Sequence, residues 1–214
     1  MLHAISKKKG NIYKRYLGHR DSGETRVHEE DELTAILLGP LDFMPPDISA
    51  RFWHELLKWF AKPGELPERI PEKAVMEFWP SAGHTRIEPD LRVKLNWGDL
   101  GESTILVELK WRSGLSGQDQ LQKQWTEFLT QSEKINGWHL FIGQDKSEAV
   151  AAREMNDVWN GRLLPLSWHE ILTMMSNIKL ENLQPWINQV TTVLGRLGIR
   201  QFQGFDGLAK FSGI

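Results

Sequence analysis

The stretch Ile87-Glu88-Pro89-Asp90-Leu91-Arg92-Val93-Lys94-Leu95, followed by Ile105-Leu106-Val107-Glu108-Leu109-Lys110-Trp111, decides the fold. Successive side chains of a strand point to opposite faces. Leu91, Val93 and Leu95 therefore share one face, and Asp90, Arg92 and Lys94 share the other. In the second run Ile105, Val107, Leu109 and Trp111 form one face, and Leu106, Glu108 and Lys110 form the other. Between the runs, Asn96-Trp97-Gly98-Asp99-Leu100-Gly101 has turn chemistry. A hairpin centred on Asp99 sets Asp90 opposite Glu108. Directly opposed residues have Cβ atoms roughly 4.5–5.5 Å apart. Two carboxylates that close, beside apolar walls, repel unless something positive sits between them. Magnesium suits that position, because it takes oxygen ligands and commonly uses one or two carboxylates with water and phosphate. Lys110 lies on the same face as Glu108 and can orient a water or stabilise charge on a phosphate.

Outward from this hairpin, the chain reads as one α/β domain. Ala74 to Trp79, Arg86 to Leu95 and Thr104 to Trp111 are expected strands, followed by shorter ones over Trp138 to Ile142 and Leu163 to Leu166. Helices are expected over Thr25 to Leu38, stopped by Gly39-Pro40, and over Ile48 to Phe60. Lys62 to Pro71, with three prolines and a glycine, reads as a loop. Further helices are expected over Gln118 to Lys134, Glu148 to Val158, Trp168 to Met175 and Leu183 to Leu197. This order implies a mixed central sheet with helices on its faces. Three parts are expected: a flexible basic arm (1–24), the core (25–178), and a C-terminal helix and tail packed on the core (179–214).

The bulk properties narrow the function classes. At 214 residues with 40% hydrophobic and 25% charged residues, the chain can build a real core. It has no cysteine, which excludes disulfides and thiolate metal sites. The N-terminus has a short basic run but no apolar stretch after it, and no segment approaches the roughly 20 apolar residues of a spanning helix. The expected location is cytoplasmic. A net charge of -2 argues against indiscriminate polyanion binding, though local basic patches matter more than the sum. The ten tryptophans are read mainly as core or contact residues, Trp111 among them.

Pro89-Asp90 and then Glu108-Leu109-Lys110 together resemble the PD-(D/E)xK nuclease superfamily, over roughly residues 25–145. The superfamily includes restriction endonucleases, recombination exonucleases, resolvases and phage-defence nucleases. The resemblance implies a restriction-endonuclease-like fold. It further implies that Asp90 and Glu108 ligate magnesium (or manganese), that the carbonyl of Leu109 adds a ligand, and that Lys110 is the catalytic lysine. Phosphodiester hydrolysis by metal-activated water would follow. Members often add an acid from an N-terminal helix; Glu30 is favoured here, with Glu29 and Glu32 as alternatives. Members also often place a glutamine on the following helix. Gln120 and Gln124 are one turn apart, a departure from the usual Gln-x-x-x-Tyr spacing because Trp125 falls one place late. Arg86, Arg112 and Gln124 are the candidate substrate contacts.

The expected function is a magnesium-dependent DNA endonuclease in bacterial anti-phage defence. No helix-turn-helix or zinc module is visible, so a homodimer or a partner subunit is expected to supply specificity. The alternatives are an inactive nuclease-fold subunit that binds nucleic acid or scaffolds a complex, and an RNA nuclease.

Overall fold

A computed structural model describes residues 2–7, 13–17, 29–117 and 119–200. Two short helices come first, α1 (Leu2–Ser6) and α2 (Tyr13–Tyr16), then α3 (Glu29–Asp42) and α4 (Pro46–Phe60). Strands β1 (Lys73–Phe78), β2 (Leu91–Asn96) and β3 (Glu102–Leu109) follow. Helices α5 (Gln120–Lys123) and α6 (Gln131–Ile135) lead to β4 (Trp138–Gly143). Helix α7 (Ser147–Met155), strand β5 (Leu163–Ser167), α8 (Trp168–Asn177) and α9 (Gln184–Arg196) complete the order.

The five strands form one mixed sheet in the order β1-β2-β3-β4-β5. The first three make an antiparallel meander, and β3, β4 and β5 are parallel. In the hairpin, Leu91 pairs with Val107 and Asn96 with Glu102. This is the register that sets Asp90 against Glu108, and Gly98 and Gly101 take the left-handed backbone its turn requires (φ +65° and +91°).

Both faces of the sheet are covered. Leu91, Val93, Leu95, Ile105, Val107 and Leu109 face a core built with residues of α3, α4, α8 and α9, including Leu37, Phe52, Trp168 and Trp186. Leu106, Phe141 and Leu163 face a smaller core with Leu121, Trp125, Phe128 and Ala149. The sequence alternation thus assigns the faces of β2 and β3 correctly. β3 beyond its first residue and the whole of β4 are buried on both sides, and the polar groups they carry there, such as Glu108 and His139, are hydrogen-bonded.

Several expectations need correction. Helix α3 runs past Gly39-Pro40 to Asp42; its expected first residues, Thr25 to His28, lie outside the described residues. A proline within a helix costs about 3 kcal/mol. Pro40 lies in the last turn, and full burial of Leu41, roughly 1.5–3 kcal/mol, offsets the cost. The expected second strand is shorter, since the ladder begins at Leu91 and Arg86 to Asp90 form a loop. The expected 118–134 helix is broken. Gln124–Phe128 widens into a π turn, Leu129 is extended, and Thr130 caps α6 with a reciprocal Thr130–Glu133 capping box.

The 1–24 segment is not a loose arm where it is described. Ile5 and Tyr16 are fully buried, and α1 packs against α9. The remainder of that segment, Gln118 and the tail 201–214 lie outside the described residues. No helix among the described residues is long and apolar enough to cross a membrane.

Candidate active site at the strand ends

Strands β1, β3, β4 and β5 run in one direction and β2 in the other. One edge of the sheet therefore collects the C-terminal ends of four strands and the N-terminal end of β2. Open α/β sheets bind ligands outside the carboxyl ends of their strands. Asp90 stands just before β2 at that edge, and Glu108 and Lys110 at the end of β3.

The geometry is tight and almost dry. One oxygen of Asp90 accepts the Leu109 N–H at 2.6 Å. Glu108, 2% exposed, has both oxygens engaged: Gln120 Nε2 donates to Oε1 at 2.7 Å and Gln124 Nε2 donates to Oε2 at 2.7 Å. Lys110 Nζ lies 2.8 Å from Glu108 Oε1 and 3.2 Å from Glu30 Oε2. Glu30 Oε1 in turn accepts the Trp111 N–H at 3.0 Å and the Ser113 hydroxyl. The Lys110 backbone is pinned on both sides, with its N–H donating to Ile142 O and its carbonyl accepting the Trp168 indole.

Electrostatics sets the two central groups apart. Burial, and then the Glu108 charge, push the Asp90 carboxyl up to about 8, although the Leu109 N–H and Lys110 pull the other way. Burial disfavours the Lys110 ammonium, but Glu108 foremost, then Glu30 and Asp90, hold its pKa above the ordinary lysine value. At neutral pH Lys110 is therefore a fixed positive charge, suited to stabilising an anion and unsuited to accepting a proton.

The sequence-predicted residues fall into three groups. Asp90, Glu108, Lys110, Glu30, Gln120 and Gln124 come together. In the first turn of α3, Glu30 bonds to Lys110, whereas Glu32 takes the Tyr16 hydroxyl. Leu109 touches Asp90 through its N–H. Arg112 is exposed and lines an adjoining cleft of about 310 Å³ with Lys110, Ser113, Gln144, Asp145 and Glu148. Arg86 is not brought to the cluster: it lies exposed on the loop before Pro89. Trp111 is buried in the main core as expected.

Sequence reasoning missed a buried chain behind Glu108. Trp159 Nε1 donates to His139 Nδ1 at 3.1 Å. An indole can only donate, so Nδ1 is the acceptor and His139 carries its proton on Nε2. That Nε2–H faces Gln124 Oε1 at 3.1 Å, which orients the Gln124 amide to donate to Glu108. Burial holds His139 neutral, with a pKa of about 3. The only available sequence signal was a histidine inside the apolar run Trp138-His139-Leu140-Phe141-Ile142.

Among the described residues, no group of three or more His, Cys, Asp or Glu side chains is arranged to hold a metal ion. The donor chemistry nevertheless suits a hard cation that takes water and phosphate oxygens as well. Asp90 is a buried carboxyl whose ionisation is disfavoured until positive charge arrives, and it stands beside a second carboxylate. In comparisons with known proteins, no family model, no curated protein and no solved structure matches this chain.

Proposed function

We propose that the chain is a magnesium-dependent nuclease with a restriction-endonuclease-like fold, cleaving DNA phosphodiester bonds. One observation carries this reading: Asp90, Glu108 and Lys110 stand side by side at the strand ends, backed by Glu30, Gln120 and Gln124. The motif resemblance supports the same reading. Asp90, Glu108 and the Leu109 carbonyl would hold the cation. When bound, it would polarise a phosphoryl oxygen and lower the pKa of water.

The chain's own groups perform the rest. Lys110 presents a permanent ammonium, aimed by Glu108 and Glu30, toward charge that develops on phosphate. Gln120 and Gln124 fix the rotamer of Glu108. Glu30 ties Lys110 to the Trp111 N–H and the Ser113 hydroxyl, so the ammonium cannot wander. The adjoining cleft offers room for a nucleotide beside the cluster. A role in bacterial anti-phage defence, with a homodimer or partner subunit supplying sequence specificity, belongs to the same proposal. A monomer in gel filtration that cuts DNA efficiently by itself would refute the partner element.

The test is cleavage of plasmid, linear and single-stranded DNA, and of RNA, with magnesium or manganese. Wild type should cut, and Asp90→Asn, Glu108→Gln and Lys110→Ala should not. Equal cutting by all four refutes the site. Preference for RNA would move the substrate class without moving the site. One observation favours a second reading, an inactive nucleic-acid-binding subunit: both Glu108 oxygens already have protein partners. Calorimetric magnesium titration of wild type beside Asp90→Ala separates the two readings, and binding in neither protein favours the second.

A further inference from the structure

Trp79 combines three properties that ordinary packing does not explain. First, its backbone sits next to the site: the Trp79 N–H donates to the Asp90 carbonyl at 3.0 Å, extending the β1-β2 ladder by one step. Second, its φ is +47°, in the left-handed region. That region is a genuine outlier for a bulky side chain, and the residue before a proline, here Pro80, is normally driven to extended backbone. The other non-glycine residue with positive φ among the described residues is Asn160, a type that tolerates it in turns. Third, Trp79 is 36% exposed, whereas eight of the ten tryptophans are buried. The remaining one, Trp59, is carried on the regular helix α4.

Backbone strain of this kind persists only where surrounding structure enforces it, and it concentrates at functional sites. Here it falls on a partly exposed indole-bearing residue just after β1, at the edge of the sheet where Asp90 lies. The Phe78 ring, packed against the main core, braces it at 5.7 Å between centroids. The Arg112-lined cleft lies on the β4 side of the cluster, and Trp79 lies on the β1 side. A linear polymer laid across the strand ends therefore meets the cleft, the charged cluster and Trp79 in turn.

We propose that Trp79 is a stacking platform for an unpaired base of a nucleic-acid strand, flanking the bond held at Asp90, Glu108 and Lys110. This rests on the nuclease reading, and it adds a requirement for a single-stranded or unstacked nucleotide next to the scissile bond. Every base has a π-face, so the platform supplies affinity with little sequence preference.

The experiment is fluorescence anisotropy with labelled single-stranded DNA and RNA oligonucleotides in chelator, where no cleavage occurs. A series with one abasic position moved along the strand accompanies it. Trp79→Gly removes the ring and relieves the left-handed strain, so it should melt no lower than wild type while weakening binding roughly 10- to 100-fold. Trp79→Phe should restore most of the affinity. At one abasic position, wild type should fall to the affinity of Trp79→Gly, and Trp79→Gly should lose nothing more. Wild type that binds while Trp79→Gly binds equally well overturns this inference alone. Dependence on Trp79 that is the same for a fully paired duplex also overturns it. Wild type that binds no oligonucleotide overturns it together with the nuclease reading.

Discussion

One face of the sheet carries two charge clusters that obey different physics. Arg92 and Lys94 of β2 pair with Glu77 of β1 and Glu133 of α6; each pair has one half-exposed member, Glu77 at 47% and Lys94 at 42%, against 20% for Arg92 and 16% for Glu133. At the end of β3, on the same face, the Glu108 and Lys110 side chains are 3% and 10% exposed. Alternation alone cannot tell these clusters apart. The difference is the cover. Exposed pairs are screened by water and are worth about 0–1 kcal/mol. Buried pairs are strong and costly to break, and the same burial, with the Glu108 charge after it, pushes the neighbouring Asp90 far above the usual carboxylate range. The second cluster is thus a place where charge is held in a fixed arrangement at the expense of stability.

The largest effect that could break this contrast is on activity. On the proposed nuclease reading, Lys110→Ala should lower kcat for DNA cleavage by roughly 10²- to 10³-fold, as removal of a charge-stabilising donor does. Lys94→Ala, on the same face, should change kcat by less than about twofold. Steady-state kinetics on a plasmid substrate with magnesium checks both, and comparable losses would erase the distinction.

The next effect is a pH-dependent stability. Asp90 titrates at about 8 in the folded protein, against an ordinary aspartate value of 3.8 in the unfolded chain. Between those values the folded protein keeps a proton that the unfolded chain releases, so stability falls as pH rises through this window. The full penalty above pH 8 is on the order of a few kcal/mol. Asp90→Asn never ionises and keeps an acceptor for the Leu109 N–H. In chelator, its stability advantage over wild type should therefore grow from about pH 5 to about pH 8.5 in urea denaturation. A constant difference would show that Asp90 is not strained by its charge. Saturating magnesium should raise wild-type stability and leave Asp90→Asn nearly unchanged.

Gln124→Leu comes third. It leaves Glu108 Oε2 and the Nε2–H of His139 buried without partners. Each orphan costs about 1–3 kcal/mol. A loss of about 2–3 kcal/mol is expected in thermal or urea unfolding, and a neutral result would mean that the chain from Trp159 to Glu108 is not coupled. The smallest effect is expected at the exposed cluster. Lys94→Ala should cost under about 1 kcal/mol, and most of that should vanish in about 1 M salt.

How much of this is legible in the sequence depends on the range of the interaction. The hairpin register follows from local sequence because two alternating strands and a short turn leave little freedom. The approach of Glu30 to Lys110 joins distant parts of the chain, and no local pattern distinguishes Glu30 from Glu29 or Glu32. The reach of Gln120 and Gln124 to one carboxylate follows from helical spacing, yet the widened turn at Gln124–Phe128 does not. That turn gives way to an extended Leu129 and a new cap at Thr130, where the next helix starts.

By itself, the sequence determined the alternation of β2 and β3, the identity of the buried faces, and the meeting of Asp90 with Glu108 and Lys110. These depend on a two-residue period and a turn, both short-range. Tertiary structure decided what that meeting amounts to. The cover that includes Leu121 and Trp125 dries Glu108 and raises Asp90, while Glu108 and Glu30 keep Lys110 charged against that burial. It also decided which distant groups complete the site, Glu30 from α3 and the Trp159–His139–Gln124 chain behind Glu108. Burial and long-range hydrogen bonding arise only once all layers are packed, because desolvation belongs to the assembled environment and not to any residue in it.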